Sequence, residues 1–171
     1  CGGLSLGLRA AGWQVPYALD WAEHACETHQ VSLPDCIVHR GDVREVRGAS
    51  IERTVGTKID LVAGGPNCQG VSERGLRNPD DPRNFMFPEF VRLVEELRPR
   101  AFLMENVPGL AHLHNFDLLC RIFSSFERLG YKCAADVLLA ASYGVPQLRY
   151  RFFLLGTLED VPLSFPAPTH F

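Results

Sequence analysis

The chain has 171 residues, enough for one domain of ordinary size, with 46% hydrophobic and 22% charged residues and a formal net charge of −3. No apolar run approaches the ~20 residues of a membrane span, and no signal peptide is apparent. Cys1 already lies inside a motif, so in a fragment of a longer protein missing targeting signals say little about the parent. The net charge argues against a generally basic nucleic-acid coat. Yet all but two of the 17 basic residues (Lys58 and Lys132) are arginine, which suits bidentate phosphate and base contacts as well as ordinary salt bridges.

The chain opens on the glycine turn Cys1-Gly2-Gly3, and Leu4 to Ala11 reads as a helix that Gly12 ends. Val15 to Leu19 is a short strand closed by Asp20, Trp21 to Gln30 is a helix, and Cys36 to His39 is a brief strand before Gly41-Asp42. Residues 44–58 are polar and unpatterned. Ile59 to Ala63 is an apolar run of the kind that forms a buried parallel strand. Gly64, Gly65 and Pro66 break it and allow a tight turn. Gly70 to Asn84 then reads as a loop of about fifteen residues, a length at which loops usually serve function.

Met86 to Leu97 has apolar residues at helical spacing and stops at Pro99. Ala101 to Met104 reads as a strand, Phe116 to Leu129 as a helix, and Lys132 to Ala140 and Tyr150 to Gly156 as strands. Pro162, Pro166 and Pro168 mark an extended tail. Strand and helix alternate throughout, which signals an α/β fold with a mostly parallel, doubly wound sheet in one domain over residues 1–171.

Cys68 falls just past the carboxyl end of a strand, where open α/β sheets bind their ligands. It is either a nucleophile or a buried structural thiol, and exposure decides between the two. The six cysteines show no C-x-x-C pair and the six histidines no zinc-site spacing, so a reduced intracellular protein without a metal is expected. The glycine turn can bring backbone N–H groups and a helix N-terminus to a ligand. Asp20 follows Gly3 by 17 residues, near the spacing at which an acid binds ribose hydroxyls. That pattern alone does not separate a nicotinamide dinucleotide from S-adenosylmethionine.

Four ordered segments, Cys1-Gly2-Gly3-Leu4, Gly65-Pro66-Asn67-Cys68-Gln69, Glu105-Asn106-Val107 and Gln147-Leu148-Arg149-Tyr150-Arg151, resemble the C5-cytosine methyltransferases over the whole chain. The resemblance implies a Rossmann-like, S-adenosylmethionine-dependent methyltransferase fold whose last two strands form an edge hairpin, one of them antiparallel. It also implies a fragment: the start of the first motif with its strand, and the target-recognition domain, are not in the chain. Residues 1–171 alone are therefore expected neither to methylate DNA nor to bind the cofactor tightly.

By the same resemblance, Gly2, Gly3, Leu4, Asp20, Trp21, Asp42, Val43, Pro66 and Met86 would hold S-adenosylmethionine, with Asp20 on the ribose and Trp21 on the adenine. Cys68 would add to cytosine C6, and Glu105 would engage N3. Arg149 and Arg151 would anchor the base O2, the Glu105 carboxylate or a backbone phosphate, Arg151 in the active site and Arg149 facing phosphate. Gln69, Ser72, Arg74, Asn106 and Gln147 would contact the substrate. Residues 70–84 would be a mobile catalytic loop closing over a cytosine flipped out of double-stranded DNA. A monomer in a bacterial cytoplasm or nucleoid, or in a eukaryotic nucleus, is expected, with no membrane and no metal.

The family usually has proline where this chain has Asn67, which predicts a less rigid Cys68. Alternatives are the tRNA-methylating branch of the family and a catalytically silent homologue that binds DNA or a partner. A nicotinamide dehydrogenase is a weaker reading, because it gives Cys68 and Glu105 no joint task.

Overall fold

The computed structural model describes residues 2–66 and 86–170. They divide into two compact units, Cys1–Ile59 and Asp60–Phe171.

In the first unit, helix α1 (Gly3–Ala10) leads to strand β1 (Tyr17–Asp20), helix α2 (Glu23–Ser32), strand β2 (Ile37–Arg40) and helix α3 (Gly48–Val55). Strands β1 and β2 pair in parallel, with Asp20 opposite Arg40. Gly2 starts α1 from φ +78°, a left-handed conformation that favours glycine. Helix α3 lies in the stretch that the sequence left unpatterned. It buries only Gly48 and Ile51 and ends at Gly56 with φ +77°, so its apolar stripe is too thin to read as periodicity.

In the second unit, strand β3 (Leu61–Gly64) precedes helix α4 (Met86–Leu97), strand β4 (Ala101–Asn106), helix α5 (Phe116–Arg128) and strands β5 (Lys132–Leu139) and β6 (Tyr150–Thr157). The sheet order is β3-β4-β6-β5. β3 and β4 are parallel, whereas β6 is antiparallel to both β4 and β5. The edge hairpin implied by the family resemblance is therefore present in this α/β unit.

Alternation along β4 organises this unit. Phe102, Met104 and Asn106 point to the buried face, and Leu103 and Glu105 to the other. The buried face meets Phe90 and Val94 of α4, Ile122 and Phe126 of α5, and Phe152 and Leu154 of β6. The Phe102 and Phe126 rings stack with centroids 4.0 Å apart. Each such side chain contributes roughly 1.5–3 kcal/mol by leaving water. Phe102 also lies over Gly156, where an added Cβ would come within 2.0 Å of its ring. That glycine is required by close approach rather than by backbone angle.

Candidate active site

In the first unit, four of the cofactor candidates, Asp20, Trp21, Asp42 and Val43, lie at or just beyond the carboxyl ends of β1 and β2. Asp20 ends β1, and its Oδ1 accepts from the Ala22 N–H at 2.9 Å. The turn this creates leaves Trp21 75% exposed, so an aromatic face is presented to solvent instead of being spent in the core. The Asp20 carbonyl accepts from Gly41 N–H at 3.0 Å, which sets the exit of β2 beside that of β1. Asp42 follows, with Val43 in a short 3-10 turn (Val43–Glu45).

Asp42 does not stand alone. The Arg44 guanidinium and backbone N–H both donate to its carboxylate, the backbone bond at 2.9 Å, and they hold its carboxyl down at about 2. A ligand amino group would share lone pairs already engaged by Arg44. At the glycine turn, a Cβ on Gly2 would lie 3.4 Å from His29 Nδ1, whereas one on Gly3 would meet nothing. Leu4 is half-buried in the first turn of α1.

In the second unit, β3 delivers Gly64, Gly65 and Pro66, and β4 delivers Glu105 and Asn106 as its last two residues. The strand runs two residues beyond its sequence-predicted end, because Glu105 and Asn106 pair with Phe153 and Phe152 of β6. Arg151 lies two residues before Phe153 on the same sheet face as Glu105. It is thus the diagonal cross-strand neighbour of that carboxylate. Its Nε donates to Glu105 Oε1 at 2.9 Å, with the two side chains only 24% and 30% exposed. A second Arg151 nitrogen donates to the Tyr150 carbonyl at 2.7 Å, which fixes the guanidinium from behind.

Gly65 completes this corner, since a Cβ there would come within 3.0 Å of Glu105 Oε2. Asn106 faces the opposite, buried side and is 8% exposed. Its Nδ2 donates to the Pro66 carbonyl at 2.9 Å, and its Oδ1 accepts from Val107 N–H at 2.9 Å. The amide expected to contact substrate is thereby engaged in holding two strand ends together.

Gln147 and Arg149 sit exposed in the turn between β5 and β6, closed by Ala140 N–H donating to the Arg149 carbonyl at 2.9 Å. Met86 is the first residue of α4 and half-buried. Cys68, Gln69, Ser72, Arg74, Asn67 and the loop 70–84 lie outside the described residues. Among the described residues, no group of three or more His, Cys, Asp or Glu could hold a metal ion, and no helix is long and apolar enough to cross a membrane.

Sequence reasoning brought Glu105 and Arg151 together correctly in kind. It missed Gly65 as the space for the carboxylate and Arg44 as the partner of Asp42. The doubled glycine at 64–65 was the available signal for the first. Nothing in the spacing signals the second.

Similarity to known proteins extends along nearly the whole chain. The model of C-5 cytosine-specific DNA methylases matches residues 1–170. The chain belongs to this family. It is 39% identical to the type II methyltransferase M1.HphI of Haemophilus parahaemolyticus over 99% of this chain and 46% of that protein. It is 40% identical to M.XorII of Xanthomonas oryzae over 98% of this chain and 41% of that one. The chain thus spans less than half the length of either. A prophage-encoded protein of E. coli assigned as a DNA modification methyltransferase superposes with a TM-score of 0.79 at 34% identity, over 91% of this chain and 43% of that one. A DNMT2 variant of Spodoptera frugiperda shares the fold, with a TM-score of 0.74 at 18% identity over 99% of this chain and 50% of that one.

Proposed function

We propose that the full-length protein carrying this chain is a DNA (cytosine-5) methyltransferase that uses S-adenosylmethionine. The observation that carries the reading is the Glu105–Arg151 pair, set by the sheet register beside the Gly65-Pro66 exit that leads, two residues on, to Cys68. Cytosine C5 is a poor nucleophile. Thiolate addition at C6 enriches it, provided the charge developing at N3 is relieved in the same step.

Cys68 would add its thiolate to C6, forming the S–C bond as the C5–C6 π electrons move toward C5 and the N3–C4 system. Glu105 would give a proton or hydrogen bond to N3, and Arg151 would hold that carboxyl in place and reach the base oxygen. After methyl transfer to C5, a base would remove the C5 proton. Those electrons re-form the C5–C6 double bond and expel the Cys68 thiolate. A base buried in a duplex must be flipped out for this, and Arg149 on the exposed turn suits a phosphate contact.

The first unit fits the cofactor. Gly2 has the left-handed φ of a tight turn, Trp21 offers an exposed ring, and the Asp20 carboxylate lies at a strand end. Gly2, Gly3, Leu4, Asp20, Trp21, Asp42 and Val43 would hold it there, and Pro66 and Met86 belong to the same expected set. When bound, S-adenosylmethionine supplies an electrophilic methyl group.

The test uses the full-length protein, cofactor and a duplex containing 5-fluorocytosine, beside a tRNA labelled in the same way. Fluorine at C5 blocks the elimination. A covalent DNA complex that disappears in Cys68→Ala is the expected result. Trapping on tRNA alone would move the activity to RNA, and a folded protein that traps neither would be a silent homologue.

A further inference from the structure

The stretch after β6 has no regular structure, yet it is not loose. It returns to the short 3-10 turn Ala140–Tyr143 that follows β5. Thr169 and His170 both donate their backbone N–H groups to the Ser142 carbonyl, at 2.8 and 3.0 Å. The Tyr143 hydroxyl donates to the Pro166 carbonyl at 2.9 Å. Gly144, at φ +87°, receives the His170 ring so closely that a Cβ would lie 3.0 Å from Cε1. Pro166 and Pro168 stiffen the returning segment, so few chain conformations must be given up to hold it there.

The segment that this clasp grips leads straight into the turn bearing Gln147 and Arg149. Inside that turn the bonds are short-range: Val145 N–H to Ala140, Gln147 N–H to Val145 and Arg149 N–H to Gln147. Its residues from Gly144 to Tyr150 are exposed, Leu148 at 84%. A turn with local bonds and no buried side chain opens readily unless its base is held.

We propose that Tyr143 is a positioning residue: through its hydroxyl bond to Pro166 it locks the returning segment onto the base of the β5–β6 turn and so fixes where Arg149 meets nucleic acid. The proposal rests on the methyltransferase reading above. Tyr143 touches neither base nor cofactor. Its effect passes through the turn, where a displacement of about 1 Å is enough to cost much of a positioned contact.

The experiment compares full-length wild type with Tyr143→Phe, which removes one oxygen, and Thr169→Pro, which removes one of the N–H groups on Ser142. Amide exchange over peptides covering 140–149, KM for duplex DNA, kcat, and cofactor affinity by calorimetry are read for each. Both variants should speed exchange in that segment and raise KM for DNA, each roughly two- to tenfold for one lost hydrogen bond, with kcat and cofactor affinity unchanged. Unchanged exchange in both variants would overturn the clasp. Faster exchange with unchanged KM, or an equal loss of cofactor affinity, would overturn the positioning role. If wild type itself methylates no DNA, the functional reading falls and the positioning role with it, while exchange still reports whether the clasp holds the turn.

Discussion

Asn106 and Pro66 are joined by a hydrogen bond of 2.9 Å that ties the end of β4 to the exit of β3. The donor is a buried side chain, so its partner is fixed by the core face of β4 and not by solvent. Cys68 lies two residues beyond Pro66 in the sequence, and Glu105 immediately precedes Asn106. One amide therefore holds together the chain segments that bear the proposed nucleophile and the proposed proton donor.

Asn106→Ala should leave the Pro66 carbonyl and the Val107 N–H without this partner, at a cost of about 1–3 kcal/mol in denaturant unfolding. Asn106→Asp keeps the acceptor but turns a carboxylate toward the Pro66 carbonyl, and should cost at least as much. Loss of fluorocytosine trapping should accompany both. An Asn106→Asp protein as stable and as fast as wild type would show that the bond holds nothing.

Gly65→Ala tests the neighbouring corner. The added methyl displaces a flexible carboxylate rather than backbone, so stability should change by less than about 1 kcal/mol. Turnover should fall much further, by roughly tenfold or more, because the methyl pushes on Oε2 of the same carboxylate whose Oε1 Arg151 holds, and so disturbs its position. Steady-state kinetics beside a thermal melt separates the two effects. A shift in melting with unaltered kinetics would count against the Glu105 role.

Gly156→Ala should be far more damaging to folding than to chemistry. Its methyl would overlap the Phe102 ring, which is itself stacked on Phe126. Overpacking of this kind costs typically 1–3 kcal/mol or more. Phe102→Leu should restore part of that loss when combined with it, so the double mutant should be more stable than the two single costs predict. Strict additivity in urea melts would contradict the contact.

The Asp42 carboxyl titrates at about 2 because Arg44 bonds its ionised form. Its folded value lies below the unfolded one, so its contribution to stability is present above the ordinary carboxylate range near ~4 and is lost as pH falls toward 2. Carboxyl NMR of Arg44→Gln should show the Asp42 midpoint rising toward ~4. High salt should weaken the pairing in the wild type, since Arg44 is exposed and Asp42 only half-buried.

Burial, with Glu127 nearby, pushes the Cys133 thiol up to about 11. It stays protonated at pH 8, with a thiolate fraction on the order of one in a thousand. Iodoacetamide mapping should therefore find Cys120, which is exposed, alkylated well before Cys133. Because the unfolded thiol ionises first, stability should fall as pH rises from ~9 toward 11. Rapid labelling of Cys133 in the folded protein would contradict its burial.

The helices with wide apolar stripes, α4 and α5, and the apolar runs of β3 and β6 were legible within a residue or two, since burial of one face imposes its period on the sequence. The motif order likewise placed Glu105 and Arg151 near strand ends before any coordinates, while Cys68 lies outside the described residues. Helix α3 was not legible, because two buried residues make no period. Nor was the last part of β4, whose polar Glu105 and Asn106 look like a strand's end until β6 is seen to pair with them.

What the sequence determined by itself was the alternation of elements, the family and the residue types offered for the chemistry, all of which are local in the chain. Only tertiary structure decided the partners. Glu105 meets Arg151 through sheet register, Asn106 meets Pro66 because β4 alternates across a buried face, and Tyr143 meets Pro166 because the chain folds back after β6. Such pairings join residues tens of positions apart, and they depend on which strands become neighbours, a choice made by packing of the whole core and carried by no short segment.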